Sequence, residues 1–291
     1  MTLKLAEIGQ RLHAYRIGAG LSANEVADRL SVSRATVYRL ESQGIDRIGL
    51  LERVASLLGV SLETLLGVGV EYISSAVTYF ERLRQLESGS DRIFVAFAPM
   101  FYLLTSPEYD EVLRASLTEQ CGGEIGGRPD KQVVSELMDI LARRKAAFRQ
   151  AAPNVAIVLS SADIMQYARF GMAAADSSKT DQSTKRGFAA RELEVLARHI
   201  SHPPIGVQIG ILFEPLPSTG FALIRKDGRQ VVVNSPFRLA PPLNIQRGIA
   251  MISEAPEAVK QYANLAADLW ASATTGEEAR DFVLGQAQRA P

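Results

Sequence analysis

Residues 21–41, LSANEVADRLSVSRATVYRLE, decide how the first part of this chain folds. They read as two short helices joined by a tight turn. Ser22 is placed to cap the first helix, and Glu25, three residues on, to reach back to the free amides, the reciprocal arrangement of a capping box. Val26, Ala27 and Leu30 then fall on one face, and the small Ala27 lets a second helix cross closely. Ser31, Val32 and Ser33 form the turn, with Ser33 capping the second helix. Val37 and Leu40, three residues apart, point that helix inward. Arg34, Ala35, Thr36, Tyr38 and Arg39 remain outward, a set that can hydrogen-bond base edges and phosphates while the helix lies in a major groove. Double-stranded DNA is therefore the first expected partner, with residues 33–42 as the reading helix and Ser22 and Ser33 beside it.

Working outward, residues 5–67 keep a series of features in register with that motif. Ile8-Gly9, Leu12 and Arg16 precede it, and Leu57, Gly59-Val60-Ser61 and Leu65-Leu66 follow. On these residues the segment resembles the Cro/repressor-type (XRE) helix-turn-helix domain of transcription regulators. The resemblance implies a five-helix bundle that binds DNA, and it covers about a fifth of the chain. Two positions depart from the family pattern. Ser31 stands where the turn usually has Gly, at a cost of roughly 1 kcal/mol if the backbone is left-handed there. Ala23 stands where Gln often opens the first motif helix, which removes one phosphate contact. Charge gives DNA little general help. Residues 1–67 carry eight Lys/Arg (Lys4, Arg11, Arg16, Arg29, Arg34, Arg39, Arg47, Arg53) against seven Asp/Glu (Glu7, Glu25, Asp28, Glu41, Asp46, Glu52, Glu63), so non-specific phosphate attraction is weak. The alternative for the segment is a helical bundle used for protein contact. Against it, Arg34 and Arg39 lie on the proposed reading face and most acids lie away from it.

The chain has 291 residues, so more than 200 remain beyond the bundle, enough for a second core. A content of 47% hydrophobic and 22% charged residues fits a globular rather than a disordered chain. No apolar run reaches the length of a membrane span, and no signal-peptide core follows Met1, so a cytoplasmic protein without membrane contact is expected. Cys121 is the single cysteine and cannot form an internal disulfide or a cysteine-rich metal site; a redox role lacks a neighbour that would lower its pKa.

The expected domains are 1–68, the helix-turn-helix unit; 69–88, a linker helix whose apolar stripe through Ile73, Val77, Phe80 and Leu83 either packs on the neighbouring domain or serves for dimerisation; and 89–291, an α/β unit. The apolar runs at 93–98 (IFVAFA) and 155–159 read as buried strands, each followed by helix (108–119 and 129–151; 162–170), which is the pattern of a partly parallel sheet. Residues 121–127 read as a Gly-rich turn and 176–186 as a polar surface loop, with a helix at 189–200 after it. Strands at 207–213, 219–224 and 230–234 follow, the last two joined by a turn containing Asp227-Gly228, a hairpin signal. A strand at 248–252 and a helix from Pro256 to Trp270 close the reading. The expected fold is thus multidomain, an all-α five-helix unit followed by a mixed α/β unit.

Catalytic chemistry is sparse. The only histidines are His13, His199 and His202, and neither a nucleophile elbow nor a Walker loop occurs. His199 and His202 with a carboxylate offer at most a weak metal site, and no metal, cofactor or catalytic residue is assigned. The closing strand, loop, strand and helix order is faintly similar to degenerate phospholipase-D-like sensor domains; the His-Xaa-Lys motif of that family is absent, so hydrolysis is not implied. Ligands of α/β sheets sit at the carboxyl ends of strands. That gathers Phe97, Met100 and Tyr102, with Pro99 and Phe101, after the first strand, Ser160 and Ser161 after the second, and Asn234, Phe237 and Arg238 after the hairpin as a candidate ligand pocket. Core packing and a structural salt bridge of Arg238 are the alternative for these residues. Three functions remain open: a homodimeric DNA-binding transcription regulator answering to a small molecule, a regulator controlled by a protein partner, and an enzyme with a DNA-binding head.

Overall fold

The structure, a computed structural model, describes residues 5–96, 100–120, 124–125, 128–172, 179–214 and 220–289. Its first five helices are α1 (Leu5–Gly18), α2 (Ala23–Leu30), α3 (Arg34–Gln43), α4 (Ile48–Leu58) and α5 (Leu62–Leu66). Ile8, Leu12, Val26, Leu30, Val37, Val54 and Leu65 close their common core, each burial contributing about 1.5–3 kcal/mol. α1 crosses α3 at backbone contact: a Cβ on Gly9 would fall on the carbonyl oxygens of Leu40 and Glu41.

After the bundle come β1 (Val70–Ile73), α6 (Ala76–Glu87), β2 (Arg92–Ala96), a 3-10 turn (Tyr102–Leu104), α7 (Pro107–Gln120), β3 (Glu124–Ile125), β4 (Arg128–Pro129), α8 (Asp130–Ala151), β5 (Asn154–Ser160), α9 (Ser161–Phe170), α10 (Lys179–Ser201) and β6 (Val207–Leu212). β7 (Phe221–Lys226), β8 (Arg229–Asn234), β9 (Ala250–Ser253), α11 (Pro256–Ala271) and α12 (Gly276–Arg289) complete the order. Seven strands form one sheet in the order β1-β9-β8-β7-β2-β5-β6, while β3 and β4 form a separate small hairpin. β2, β5 and β6 run parallel, as helical crossovers require; β7, β8, β9 and β1 are antiparallel. Thus the chain is multidomain, an all-helical unit followed by a unit with a mixed sheet.

Alternation sorts the side chains to two faces. Ile93, Ile157, Ile209, Ile224, Val231 and Ile252 face α6 to α10 and α12, in an apolar core that continues without a break through α6 into the N-terminal bundle. Ala96, Val158, Leu212, Leu223 and Val232 face the other way, against Ala266, Leu269 and Trp270 in the α11 region. Lys226 and Arg229 face each other across the β7–β8 turn, where Asp227 and Gly228 have φ of 51° and 74°. Positive φ at both central residues is the two-residue hairpin geometry that an Asp-Gly pair favours.

The structure corrects several expectations. Residues 71–87 are not one helix: Val70–Ile73 is an outer strand paired with β9, and the helix begins only at Ala76. Of the two readings of the apolar stripe on α6, packing within the chain holds and a stripe left open for a second copy does not, because Ala76 through Leu83 are all buried within the chain itself. Helix α10 starts at Lys179, so 179–186 are helical rather than a polar loop; the remainder of that expected loop, 176–178, lies outside the described residues. Phe97, Pro99, Thr219 and Cys121 also lie outside them. Within 121–127, Glu124–Ile125 is a short strand. α12 was not expected, although Ala279, Val283 and Ala287 bury one face at a spacing of four. The strand expected at 248–252 is shifted to Ala250–Ser253. Among the described residues no helix is long and apolar enough to cross a membrane.

Candidate nucleic-acid interface and ligand cavity

The motif is built as its residues dictate. The Glu25 amide donates to Ser22 Oγ at 3.2 Å and the Ser22 amide to Glu25 Oε2 at 2.7 Å, a complete capping box. α2 ends with Ser31 left-handed, at φ 54° and ψ 48°, and the Val32 amide donates to Ala27 O at 2.9 Å. That ending favours glycine. Ser31→Gly is therefore expected to raise unfolding stability by about 1 kcal/mol, read from denaturant midpoints; an unchanged or lowered midpoint would show that the serine carries no strain. Ser33 caps α3, accepting from the Thr36 amide at 3.1 Å.

α3 buries Val37 and Leu40 and leaves Arg34, Ala35, Tyr38 and Arg39 exposed, with Ser22 and Ser33 exposed beside them and Thr36 half-buried. The Arg34 guanidinium donates to the Tyr38 hydroxyl through Nε (3.3 Å) and Nη2 (3.0 Å) and lies 5.4 Å from the centre of that ring. The pair is thereby held along the outer face one turn apart.

Behind this face, α3 is locked to α1. Glu41 accepts from Arg16 and lies 3.0 Å from His13 Nδ1, while Arg16 also donates to Leu21 O at 2.8 Å, fixing the approach to α2. Burial acts to raise the Glu41 carboxyl, but the hydrogen bonds and positive charge of His13 and Arg16 outweigh it and hold the carboxyl below its ordinary 4.5. Since the folded value lies below the unfolded one, this stabilisation is complete above about pH 4.5 and is lost as pH falls through the lower folded value. The melting temperature is expected to drop between about pH 5 and pH 3, and Glu41→Gln to flatten that drop. An identical acid profile in the variant would remove Glu41 from the account.

A cavity of about 640 Å³ lies in the sheet unit, at the carboxyl ends of β2, β5 and β8. Of the expected pocket residues it brings together Met100, Tyr102, Ser160, Phe237 and Arg238, with Phe101. Asn234 is not among them: it ends β8, and because its neighbour Val233 lines the cavity, alternation sends Asn234 to the opposite face. Ser161 does not line it either; Ser160 caps α9, accepting from the Asp163 amide at 3.1 Å. Arg238 lies 3.7 Å from Asp163 and donates to Pro241 O at 3.3 Å, so it does have the structural partners of the alternative reading.

Sequence reasoning missed the wall that α6 and α8 supply. Tyr79, Phe80, Leu83 and Glu87 come from α6 and Arg144 from α8. Arg144 donates to Glu87 through Nε (2.9 Å) and Nη2 (2.7 Å), with its guanidinium 5.5 Å from the Phe80 ring centre. Burial alone would lower the Arg144 pKa; the Glu87 carboxylate outweighs it and raises it, so the guanidinium stays charged. Burial pushes the Tyr79 hydroxyl up to about 12, against the hydrogen bond to Ser235, so it stays a neutral phenol. Neither the linker helix nor the long helix at 129–151 gave a sign of these roles in the sequence, since Glu87 and Arg144 are 57 positions apart.

The other side of α6 faces the bundle. A Cβ on Gly18 of α1 would fall on Thr78 Oγ1, Gln85 Nε2 donates to Gln10 O at 3.0 Å, and Glu81 lies 3.9 Å from His13. Glu71 of β1 ties to the same region, accepting from Arg82 at 2.8 Å and lying 3.7 Å from Arg11. Tyr38 and Ser42 of α3 also face Arg84 and Lys226 across a hollow of about 310 Å³.

The Nε2 of His199 lies 3.2 Å from Leu104 O, and burial lowers the pKa of the ring. His202 is exposed. Among the described residues no group of three or more His, Cys, Asp or Glu side chains is placed to hold a metal ion.

Comparison with known families finds a match to a helix-turn-helix domain over residues 7–66. None of the curated proteins matches the chain. The matched residues are those of the bundle, so the chain carries a helix-turn-helix domain, whose partner is DNA and whose role is in transcription regulation.

Proposed function

We propose that this protein is a cytoplasmic, homodimeric transcription regulator of the Cro/repressor (XRE) type, reading a pseudo-palindromic operator through α3 and tuned by a small molecule in the cavity of the sheet unit. In this reading residues 1–68 bind DNA, 69–88 couple the two units, and 89–291 sense the effector without catalysing a reaction. The observation that carries it is the double role of α6, which walls the cavity with Tyr79, Phe80, Leu83 and Glu87 and meets α1 through Thr78, Glu81 and Gln85. A ligand that prefers one placement of α6 biases α1, and through Arg16, His13 and Glu41 it biases α3. Two half-sites about one DNA turn apart demand a fixed distance between two reading helices, so a small change at α1 is enough to alter affinity.

A protein partner is the second reading, favoured by one surface. Tyr72 of β1 and Met251 of β9 are cross-strand neighbours at the outer side of the sheet, and they are 61% and 38% exposed, with Ile249 at 62%. One experiment separates the readings. The purified chain is bound to DNA from upstream of its own gene, with cellular extract added before and after removal of macromolecules. A shift in DNA affinity that survives their removal is expected. A shift that vanishes with the macromolecules favours the protein partner, and no sequence-selective binding under any condition rejects the regulator.

A further inference from the structure

We propose that the cavity takes an uncharged, largely aromatic ligand carrying one carbonyl or hydroxyl oxygen, which accepts from the free edge of Arg144; this rests on the effector reading above.

Three observations point to that chemistry. Val95 and Ala222 are direct cross-strand partners on β2 and β7, central strands of the sheet, yet both are only half-buried, and both line the cavity. An apolar floor in the middle of a sheet that no described side chain fully covers suits an apolar body. Tyr79, Phe80, Phe101 and Phe237 around it offer ring edges and faces to a planar molecule. A volume of about 640 Å³ is that of a site for a small organic molecule.

The second observation is charge balance at the buried end. The Arg144 and Glu87 side chains are only 4% and 12% exposed and form a two-point ion pair, so together they are neutral. An anion placed there would leave a net negative charge out of water, and a cation a net positive one; each is disfavoured by the lost hydration. A neutral ligand meets neither cost.

Third, the ion pair uses only Nε and Nη2 of Arg144. Among the described residues Nη1 makes no hydrogen bond, and Arg144 lines the cavity, so a donor is left over for a bound molecule. An unused guanidinium donor is matched by an acceptor, and a carbonyl or hydroxyl oxygen supplies one without a charge. Asp163, Arg238 and Glu214 line the more exposed end, where water screens them, and they tolerate a polar tail there without setting the class.

The test uses the full chain and three probes sharing one ring system: 2-acetylnaphthalene (neutral), 2-naphthoate (anion) and 2-naphthylmethylammonium (cation), with binding measured by equilibrium dialysis. Two variants accompany the native chain. Ala222→Phe fills the floor, with Val233→Phe as an independent filling should the first not fold. Glu87→Gln keeps the shape and removes the counter-charge. The neutral ketone is expected to bind at least about tenfold more tightly than either ion and to lose that affinity in the filled variant. In Glu87→Gln the preference is expected to move toward naphthoate by about tenfold, because Arg144 is then uncompensated. If a charged probe binds best and is still excluded by the filled variant, the proposed class is wrong while the effector cavity stands. If no probe binds in a way that the filling blocks, the cavity reading falls and the class falls with it.

Discussion

Replacing Arg34 and Arg39 together by alanine is expected to weaken operator binding by a hundredfold or more, since each bidentate base contact is worth about 1–3 kcal/mol of discrimination. Both side chains are exposed on α3, and neither supports the bundle core, which is closed by Val37 and Leu40 from the same helix. The melting temperature should therefore stay near that of the native chain, and the loss should appear in affinity. It should also be selective. Residues 1–67 are nearly charge-neutral, so little non-specific attraction remains to hold the variant on DNA. Arg34 is the more informative of the two when changed singly. It is tethered to Tyr38 by hydrogen bonds of 3.0 and 3.3 Å, which limits the rotamers it must give up on binding. Fluorescence anisotropy with a labelled operator reads the effect, and a double variant that binds as the native chain does would place the reading face elsewhere.

Gly9→Val is expected to destabilise the chain by on the order of 3 kcal/mol or more, the upper range of overpacking. The obstacle is backbone: the added Cβ meets the carbonyls of Leu40 and Glu41, which cannot swing aside as a side chain can. Relief requires α3 to move off α1. That movement would also separate Glu41 from Arg16 and His13, so the variant loses packing and a buried ion cluster together. Denaturant unfolding measures the loss, and a free energy within about 0.5 kcal/mol of the native value would show that the α1–α3 crossing is looser than its geometry implies.

Where function depends on local chemistry, the sequence was legible. Ser22 and Glu25 form the capping box their spacing announces, Ser33 caps α3, and Ser31 takes the left-handed turn that a glycine usually fills. Strands β2 and β5 were visible as continuous apolar runs because parallel strands are buried on both faces, and Asp227-Gly228 marked its hairpin. What could not be read depends on pairing across long separations. β1 has four residues and is recognisable as a strand only through its partner β9, about 180 positions away. In isolation its residues continue the apolar period of α6, so strand and helix merge into one apparent helix. The cavity shows the same limit. Met100, Tyr102, Ser160, Phe237 and Arg238 could be grouped from the rule that ligands sit at strand ends, but Asn234 misses by one position, and a single step in a strand reverses the face. Glu87 and Arg144 carry no motif, because only the packing of α6 on α8 brings them together.

The arrangement gives α6 an unusual burden for a connecting helix. It is buried along nearly its whole length, so the bundle and the sheet unit are not joined by a flexible tether. Instead the apolar core is continuous from the sheet through α6 to the bundle, and a core of this kind responds to a displaced helix by switching between packings rather than by stretching.

The most direct test of the whole account is selection of bound sequences from a random duplex library by the full chain, with the Arg34→Ala/Arg39→Ala chain run beside it. The account predicts enrichment of a pseudo-palindrome with half-sites about 10 base pairs apart or a multiple of that, and no enrichment with the double variant. Absence of any enriched sequence with the native chain, or the same sequence enriched by both chains, would contradict it.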